Sequence, residues 1–469
     1  MSKDSKKLGV FALTALVISS SIGSGIFAIP TDMASATAPG GALIGWLVAG
    51  VGVLTLCLSI VYIGQKKPNL AGIVSYAEEG FGPFNGFISG WGYWLSAWLG
   101  TVSVVIMMMK TLSRLLPVFG NGDNFLSIVV GSCLLWFLCY LVNRGVESAI
   151  VLNTIIAVCK IVPLALCIIL AFVFFDMDTF MTNFWGTQSG QFELGSVASQ
   201  VKNSMMTIMW VFVGIEGAAM MSDRAKNQSV VGKSTVFGLI SLAIIYVSAS
   251  ILPYGILTQD QIANLPSPAL GYVFTKDVGN WFPVMVNIAL IISLFGSWLS
   301  WMMLPVETTA IMAQRKLLSA KFAELNDKGV PTFSLVFMTA LIQIFMLTLL
   351  VTDQAYQFAY TLCTASMFIS WLYVVLYQVK LAYQHKNMPQ VILGLLGSAF
   401  FIWIIWVAGF DYVLLCLIAY LVGIVFYIKA RQAAGEKKIF TTGEWLLVAI
   451  LVLGALLALV RLMTGQIVI

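Results

Sequence analysis

Residues 19–30 read "SSSIGSGIFAIP": three serines and two glycines in the middle of the first long apolar stretch of the chain. Glycine inside a helix costs about 1 kcal/mol relative to alanine, and a plain membrane anchor has no use for the hydroxyls. A second interruption, "WVFVGIEGAAM" at 210–220, lies in the sixth apolar stretch. If spans one to five and six to ten form two halves, both interruptions fall in the first helix of a half. A matched pair of this kind marks a transporter built from inverted repeats, with its substrate site at the breaks near mid-membrane. Unwound backbone exposes N–H and C=O groups that cost several kcal/mol each in lipid, so it persists only where protein, water or ligand satisfies them. Close helix packing through small residues is the alternative; it accounts for one such segment better than for the pair.

The 469 residues are 60% hydrophobic and only 10% charged, with a mean hydropathy of +0.95. Soluble domains carry roughly 25% charged residues, so the composition predicts a polytopic, all-α integral membrane protein. Spanning helices need about 18 or more apolar residues. Thirteen runs qualify: 9–36, 41–64, 83–117, 125–143, 148–175, 197–221, 232–257, 282–312, 331–352, 356–381, 389–409, 411–430 and 443–464. The limits of the last three leave the count at 12–13. Run 83–117 is long enough to hide a break, and "RKLLSAKFAELNDKG" (315–329) reads as a short amphipathic interfacial helix. Placing the N-terminus in the cytoplasm and alternating thereafter puts all but six of the 25 Lys and Arg residues (Lys110, Arg114, Lys160, Lys202, Lys276 and Arg461) in cytoplasmic segments. That distribution satisfies the positive-inside rule. The net charge of +5 therefore reflects topology in the cell membrane rather than nucleic-acid binding.

Other function classes find little support. The seven cysteines lie in apolar segments without metal-type spacing and read as small buried hydrophobes, so neither a metal nor a cofactor is expected. The single histidine, His385, sits in the loop "YQHKN", where a solvated role outweighs catalysis. There is no P-loop for an ATP-driven pump, no soluble signalling domain for a receptor and no repeated pore motif for a channel. The first span is too long for the core of a signal peptide.

Four ionisable residues sit inside spans: Lys110, Lys160, Glu216 and Glu307. A charge at the bilayer centre costs about 2.5–3.5 kcal/mol on the lenient insertion scales, which makes each a functional candidate. Glu216, in the glycine-flanked "GIEGA", is suited to hold an ammonium group or take up a proton; a hydrogen bond across the break is the structural alternative. Lys160 is suited to replace a coupling cation at the first-helix break, or to serve as a counter-ion. Lys110 lies toward the outer end of its span, where it can snorkel. Glu307, just past Pro305, fits a gate or a salt bridge. Trp210 beside the second break, with Trp298 and Trp301 in span eight, can cover a bound cation, worth about 2 kcal/mol when desolvated, or act as gates.

Together "SSSIGSGIFAIP", "GWGYWLSAWLG", "WVFVGIEGAAMMSDRAKNQSVVGKST" and "AKFAELNDKGVP" resemble the amino acid–polyamine–organocation superfamily, and within it the basic amino acid/polyamine antiporters. The resemblance covers roughly residues 8–380. It implies the LeuT-like five-plus-five inverted-repeat fold, with repeats over 1–180 and 197–381 and further C-terminal helices over 389–469. It also implies alternating access and exchange of an external amino acid for its metabolic product. By position, Ile22, Gly23, Ser24, Gly25 and Ile26 would meet the substrate's carboxylate and α-amino group. Ser96, Ala97 and Thr101 would line the site from span three, Trp210, Ile215 and Glu216 from span six, and Trp301 from span eight. Lys160 resembles a fifth-helix lysine that stands in for sodium in some relatives, with Glu307 and Trp298 as coupling or gating residues. Position 101 departs from the asparagine common in arginine-transporting relatives: threonine offers one short hydroxyl in place of an amide. Histidine/histamine and arginine/ornithine exchange both stay open, as do lysine, ornithine or an amine as cargo. The expected partners are these small molecules and the lipid bilayer, with a homodimer left open; a proton-coupled symporter of the same fold is the alternative.

Overall fold

A computed structural model describes residues 9–70, 72–145, 150–217, 225–347 and 355–467. Its principal helices are α1 (Val10–Ser21), α2 (Gly25–Ala34), α3 (Pro39–Lys66), α4 (Gly72–Phe81), α5 (Pro83–Leu115), α6 (Phe125–Asn143), α7 (Ile150–Val173) and α8 (Leu194–Val211). They continue as α9 (Gln228–Ile251), α10 (Trp281–Gln314), α11 (Thr332–Met346), α12 (Ala355–Gln384), α13 (Met388–Val407), α14 (Phe410–Ala433) and α15 (Thr442–Met463). Nine of the described helices are long and apolar enough to cross a membrane, with shorter apolar stretches at Cys159–Val173 in α7 and Thr332–Met346, which is α11. The two remaining expected spans are the interrupted ones: α1 with α2, and α8 with the turn beyond it. Residues 218–224 of the sixth span lie outside the described residues.

Burial sorts the helices. In α5, 83% of the apolar window lies inside the protein, against 22% in α15, so α5 is central and α15 peripheral. Around α5 pack α10, α12 and α4, while α3 packs on α8 and α9, and α1 on α9. The outward faces of α13 and α15 present Ile392, Leu396, Trp406, Leu446, Leu453 and Val460, side chains that suit lipid and not water. Val10 accepts a hydrogen bond from Ser234 of α9, which sets the N-terminal side of the bundle. On the far side Gln259 donates to the carbonyl of Ala34, the last residue of α2, and Tyr254 to that of Thr37 just beyond it.

Two expectations are corrected. No break occurs in run 83–117: α5 is continuous for 33 residues. Its glycines serve close approach instead. A Cβ at Gly92 would lie 2.1 Å from the Tyr420 hydroxyl, and one at Gly100 would lie 2.3 Å from the Trp301 ring. Residues 315–329 do not form an interfacial helix either. Lys316 adopts φ 59°, ending α10, and one four-residue turn follows at Ala320–Ala323. Leu317, Leu318 and Phe322 are buried, while Asn326 Nδ2 donates to the backbone of Asn143 at 3.0 Å. Burial and this tether fix a loop where amphipathic spacing alone suggested a helix.

One helix was not anticipated. α4 lies between the second and third spans, pinned by Glu78 to Arg315 at 2.6 Å and by Lys67 to Glu79 at 2.9 Å. The Lys67–Glu79 pair is exposed and contributes little; the Arg315 pair is partly buried and ties α4 to the end of α10.

Gly52 and Gly50 on α3 test this packing. A Cβ at Gly52 would sit 2.2 Å from the Phe400 ring of α13, whereas one at Gly50 meets nothing within 4 Å. Phe400 is held by Phe401 and Trp403, so the helices must separate at an overpacking cost of about 1–3 kcal/mol. Gly52→Ala is expected to lower the melting temperature of the purified protein by several degrees, and Gly50→Ala to leave or raise it. Equal melting of the two variants would contradict this interdigitation.

Candidate functional site

The first interruption is an observed break. α1 ends at Ser21, Ile22 turns extended (φ −72°, ψ 91°), and α2 starts at Gly25. The hydroxyl of Tyr246 on α9 donates to the Ser21 carbonyl at 2.7 Å, capping one group released by the break. Its N–H groups are treated differently. Those of Gly23, Ser24, Gly25 and Ile26 have no backbone acceptor among the described residues. They crown the N-terminus of a ten-residue helix, where the free N–H groups and the helix dipole attract anions.

Trp210 closes on this turn. A Cβ at Gly25 would lie 2.7 Å from Trp210 Nε1, so glycine is required there for contact; a Cβ at Gly23 meets nothing within 4 Å. Between the break, Val104 of α5, Trp210, Val211, Val213 and Trp301 of α10 lies a cavity of ≈ 10 Å³, room for about one water. Ser24 Oγ and Trp210 Nε1 in its lining make no hydrogen bond of ordinary geometry, and the Tyr356 hydroxyl lies beside both. A buried polar group left unpaired costs about 1–3 kcal/mol, so these groups would gain from a polar partner in the cavity. Trp210 meets Trp301 at 6.2 Å and stacks on Tyr360 at 5.9 Å, giving the cavity an aromatic wall.

The second interruption is also real. After Val211 the chain makes an irregular turn through Phe212–Glu216, with Gly214 at φ 108°. Glu216 is 1% exposed, and its Oε2 accepts from Gly214 N at 3.3 Å. Tyr93 of α5 and Trp371 of α12 are its polar side-chain neighbours. Ile215 is fully buried beside it.

The span-three candidates lie along α5. Thr101 Oγ1 donates to Ala97 O at 3.0 Å, with Trp301 O at 3.5 Å, and Ser96 Oγ lies 3.2 Å from Cys363 Sγ of α12. The cavity therefore gathers Gly23, Ser24, Gly25, Ile26, Trp210 and Trp301, with Thr101 behind Trp301. Other candidates stand apart from its lining. Lys160 is buried in α7 and Trp298 is fully buried in α10. Glu307 is half-buried, within electrostatic range of Tyr93. Among the described residues no cluster of His, Cys, Asp or Glu is placed to hold a metal ion.

Several residues at the site escaped sequence reasoning. Tyr356 and Tyr360 are four residues apart on one face of α12, and nothing in their local sequence marks them out. Asp32, two residues after Pro30, is a further charge inside a span, set among small and apolar residues. Tyr93 and Trp371 gain meaning only through contact with Glu216.

Comparison with known proteins agrees with this architecture. Residues 8–460 match the amino acid permease family. The chain is 50% identical to an arginine/ornithine antiporter of Latilactobacillus sakei, over 100% of this chain and 99% of that one. It is 36% identical to an arginine/ornithine antiporter of Pseudomonas aeruginosa, over 99% and 98% of the two chains. Identity to an arginine/agmatine antiporter of Chlamydia trachomatis is also 36%, over 96% of each. With its break-centred cavity and full-length match, the chain belongs to the amino acid permease family, a group of multi-pass membrane proteins within the amino acid–polyamine–organocation superfamily.

Proposed function

We propose that the protein is an antiporter that exchanges external arginine for internal ornithine by alternating access. One observation carries the reading: four N–H groups at the start of α2 without backbone acceptors, together with Ser24 Oγ and Trp210 Nε1, border one cavity. A carboxylate suits the helix N-terminus, and the carbonyls freed around Ile22 suit an α-ammonium group. The side chain then extends past Trp210 and Trp301 toward Ser96, Ala97, Thr101, Ile215 and Glu216. Thr101 spends its one proton on Ala97 O, so toward a ligand it offers lone pairs only. That fits a guanidinium, which is all donors, and the loss of an asparagine amide at this position does not count against arginine. The relatives named for arginine support the same cargo.

On this reading residues 1–180 and 197–381 are the two inverted repeats, each opening with an interrupted helix, and 389–469 are additional helices. The Lys and Arg distribution supports a cytoplasmic N-terminus in the cell membrane. Lys160 takes the place of a coupling cation, and Trp298 and Glu307 act in gating toward the cytoplasmic side. The proton-coupled symporter has less support, since the relatives are named as antiporters.

Proteoliposomes test exchange directly. Labelled arginine should enter ornithine-loaded vesicles at least about tenfold faster than empty ones. Both cargoes carry one positive charge, so exchange moves no net charge and should not respond to an imposed potential; a net charge would feel about 2.3 kcal/mol per 100 mV. Equal uptake into empty and loaded vesicles would overturn obligatory exchange. A rate that follows the potential would favour a charge-moving pair such as histidine/histamine.

Glu216→Gln keeps the shape of the side chain and removes its charge. Exchange is expected to fall by about tenfold or more, equivalent to about 1.4 kcal/mol of lost transition-state stabilisation, while the protein elutes as a monodisperse peak. Full exchange by this variant from pH 5 to 8 would remove Glu216 from the site.

A further inference from the structure

The far end of α2 carries a carboxylate that the central site leaves unused. Asp32 lies seven residues past Gly25, about 10 Å along the helix, on the side where Ala34 and Thr37 meet the loops beyond α9. It is partly buried. No described residue hydrogen-bonds its carboxylate, and Lys110 of α5 is the charge that acts on it.

Tyr356 connects this carboxylate to the cavity. Its hydroxyl lies beside Ser24 and Trp210 and within electrostatic reach of Asp32. Its ring carries Lys110 Nζ at 5.4 Å from the centroid. Tyr360, one turn on, is also within reach of Asp32 and meets Tyr356 at 5.4 Å and Trp210 at 5.9 Å. A partly desolvated carboxylate within electrostatic reach of these tyrosines adds to the attraction that an aromatic face exerts on a cation. The ammonium of Lys110 demonstrates that a positive charge is accommodated on the Tyr356 face.

We propose that Asp32, Tyr356 and Tyr360 form a second, outer cation site that holds the guanidinium or ammonium group of an arriving substrate before it reaches the central cavity, and that Lys110 is a tethered competitor for this site. The inference rests on the antiport reading above. The arriving cation meets Asp32 and the Tyr356 face, Lys110 is displaced, and the tyrosine–Trp210 stack hands the substrate to the break. Selection by charge then occurs at the mouth, apart from recognition of the α-amino acid group in the centre.

External arginine and its neutral isostere citrulline distinguish the outer site from a purely structural Asp32–Lys110 contact. In ornithine-loaded proteoliposomes, Asp32→Asn should raise the KM for external arginine about tenfold, with kcat within about twofold. The citrulline concentration that half-inhibits arginine exchange, measured at arginine well below KM, should stay unchanged. Asp32→Glu should restore most of the arginine KM, and Lys110→Gln should lower it roughly threefold. Arginine and citrulline shifting together, or neither shifting in Asp32→Asn, would overturn the outer site while leaving the antiport reading intact. A wild type with no arginine exchange would overturn both.

Discussion

The contact between Gly25 and the Trp210 indole is the constraint on which the site depends. A methyl group at residue 25 would stand 2.7 Å from Nε1, so the first turn of α2 reaches the last turn of α8 only as bare backbone. Because the helix restarts at this contact, the N–H groups of residues 23–26 face the cavity without backbone acceptors. In lipid such a break would cost several kcal/mol per group. Here it is held within protein, with Tyr246 capping the Ser21 carbonyl.

The surrounding helices divide the work. α5 is one rigid rod whose glycines admit Trp301 and Tyr420 at close range, so Thr101 and Val104 stand at fixed depth opposite the break. α12 supplies Tyr356 and Tyr360 toward one end of the cavity and Trp371 toward Glu216. α4 and Arg315 brace the N-terminal side through a partly buried ion pair. A cavity of ≈ 10 Å³ is too small for any amino acid, so if substrate binds here, as proposed, Trp210 or Trp301 has to move. On that proposal the aromatic pair joins substrate occupancy to the change of shape that alternating access demands.

Much of this was legible before any coordinates. Hydrophobic run length anticipated the nine membrane-length helices among the described residues, because a bilayer fixes helix length whatever the partners. Paired glycine interruptions found both breaks, because exposed backbone inside a membrane requires a reason. Glycine was less informative on α5: "GWGYWLSAWLG" reads equally as a hinge or as a close-packed rod, and only the positions of Trp301 and Tyr420 decide. The amphipathic spacing of 315–329 misled because Leu317, Leu318 and Phe322 are buried against the body rather than laid along an interface. Tyr93, Tyr356, Tyr360 and Trp371 stayed hidden because an aromatic residue in a span has no local signature of its role; its neighbours come from distant segments. Asp32 carried a signal, a carboxylate in an apolar run, and was masked by the motif around it.

The central claim is that the unwound backbone at residues 22–26 binds the part of the ligand that all amino acids share. A structure of the protein with L-arginine bound tests it most directly. The carboxylate oxygens are expected about 3 Å from the N–H groups of Gly23–Ile26, with the guanidinium directed past Trp210 and Trp301 toward Thr101 and Glu216. Arginine bound with its carboxylate away from the start of α2, or lodged outside the cavity between the two breaks, would contradict it.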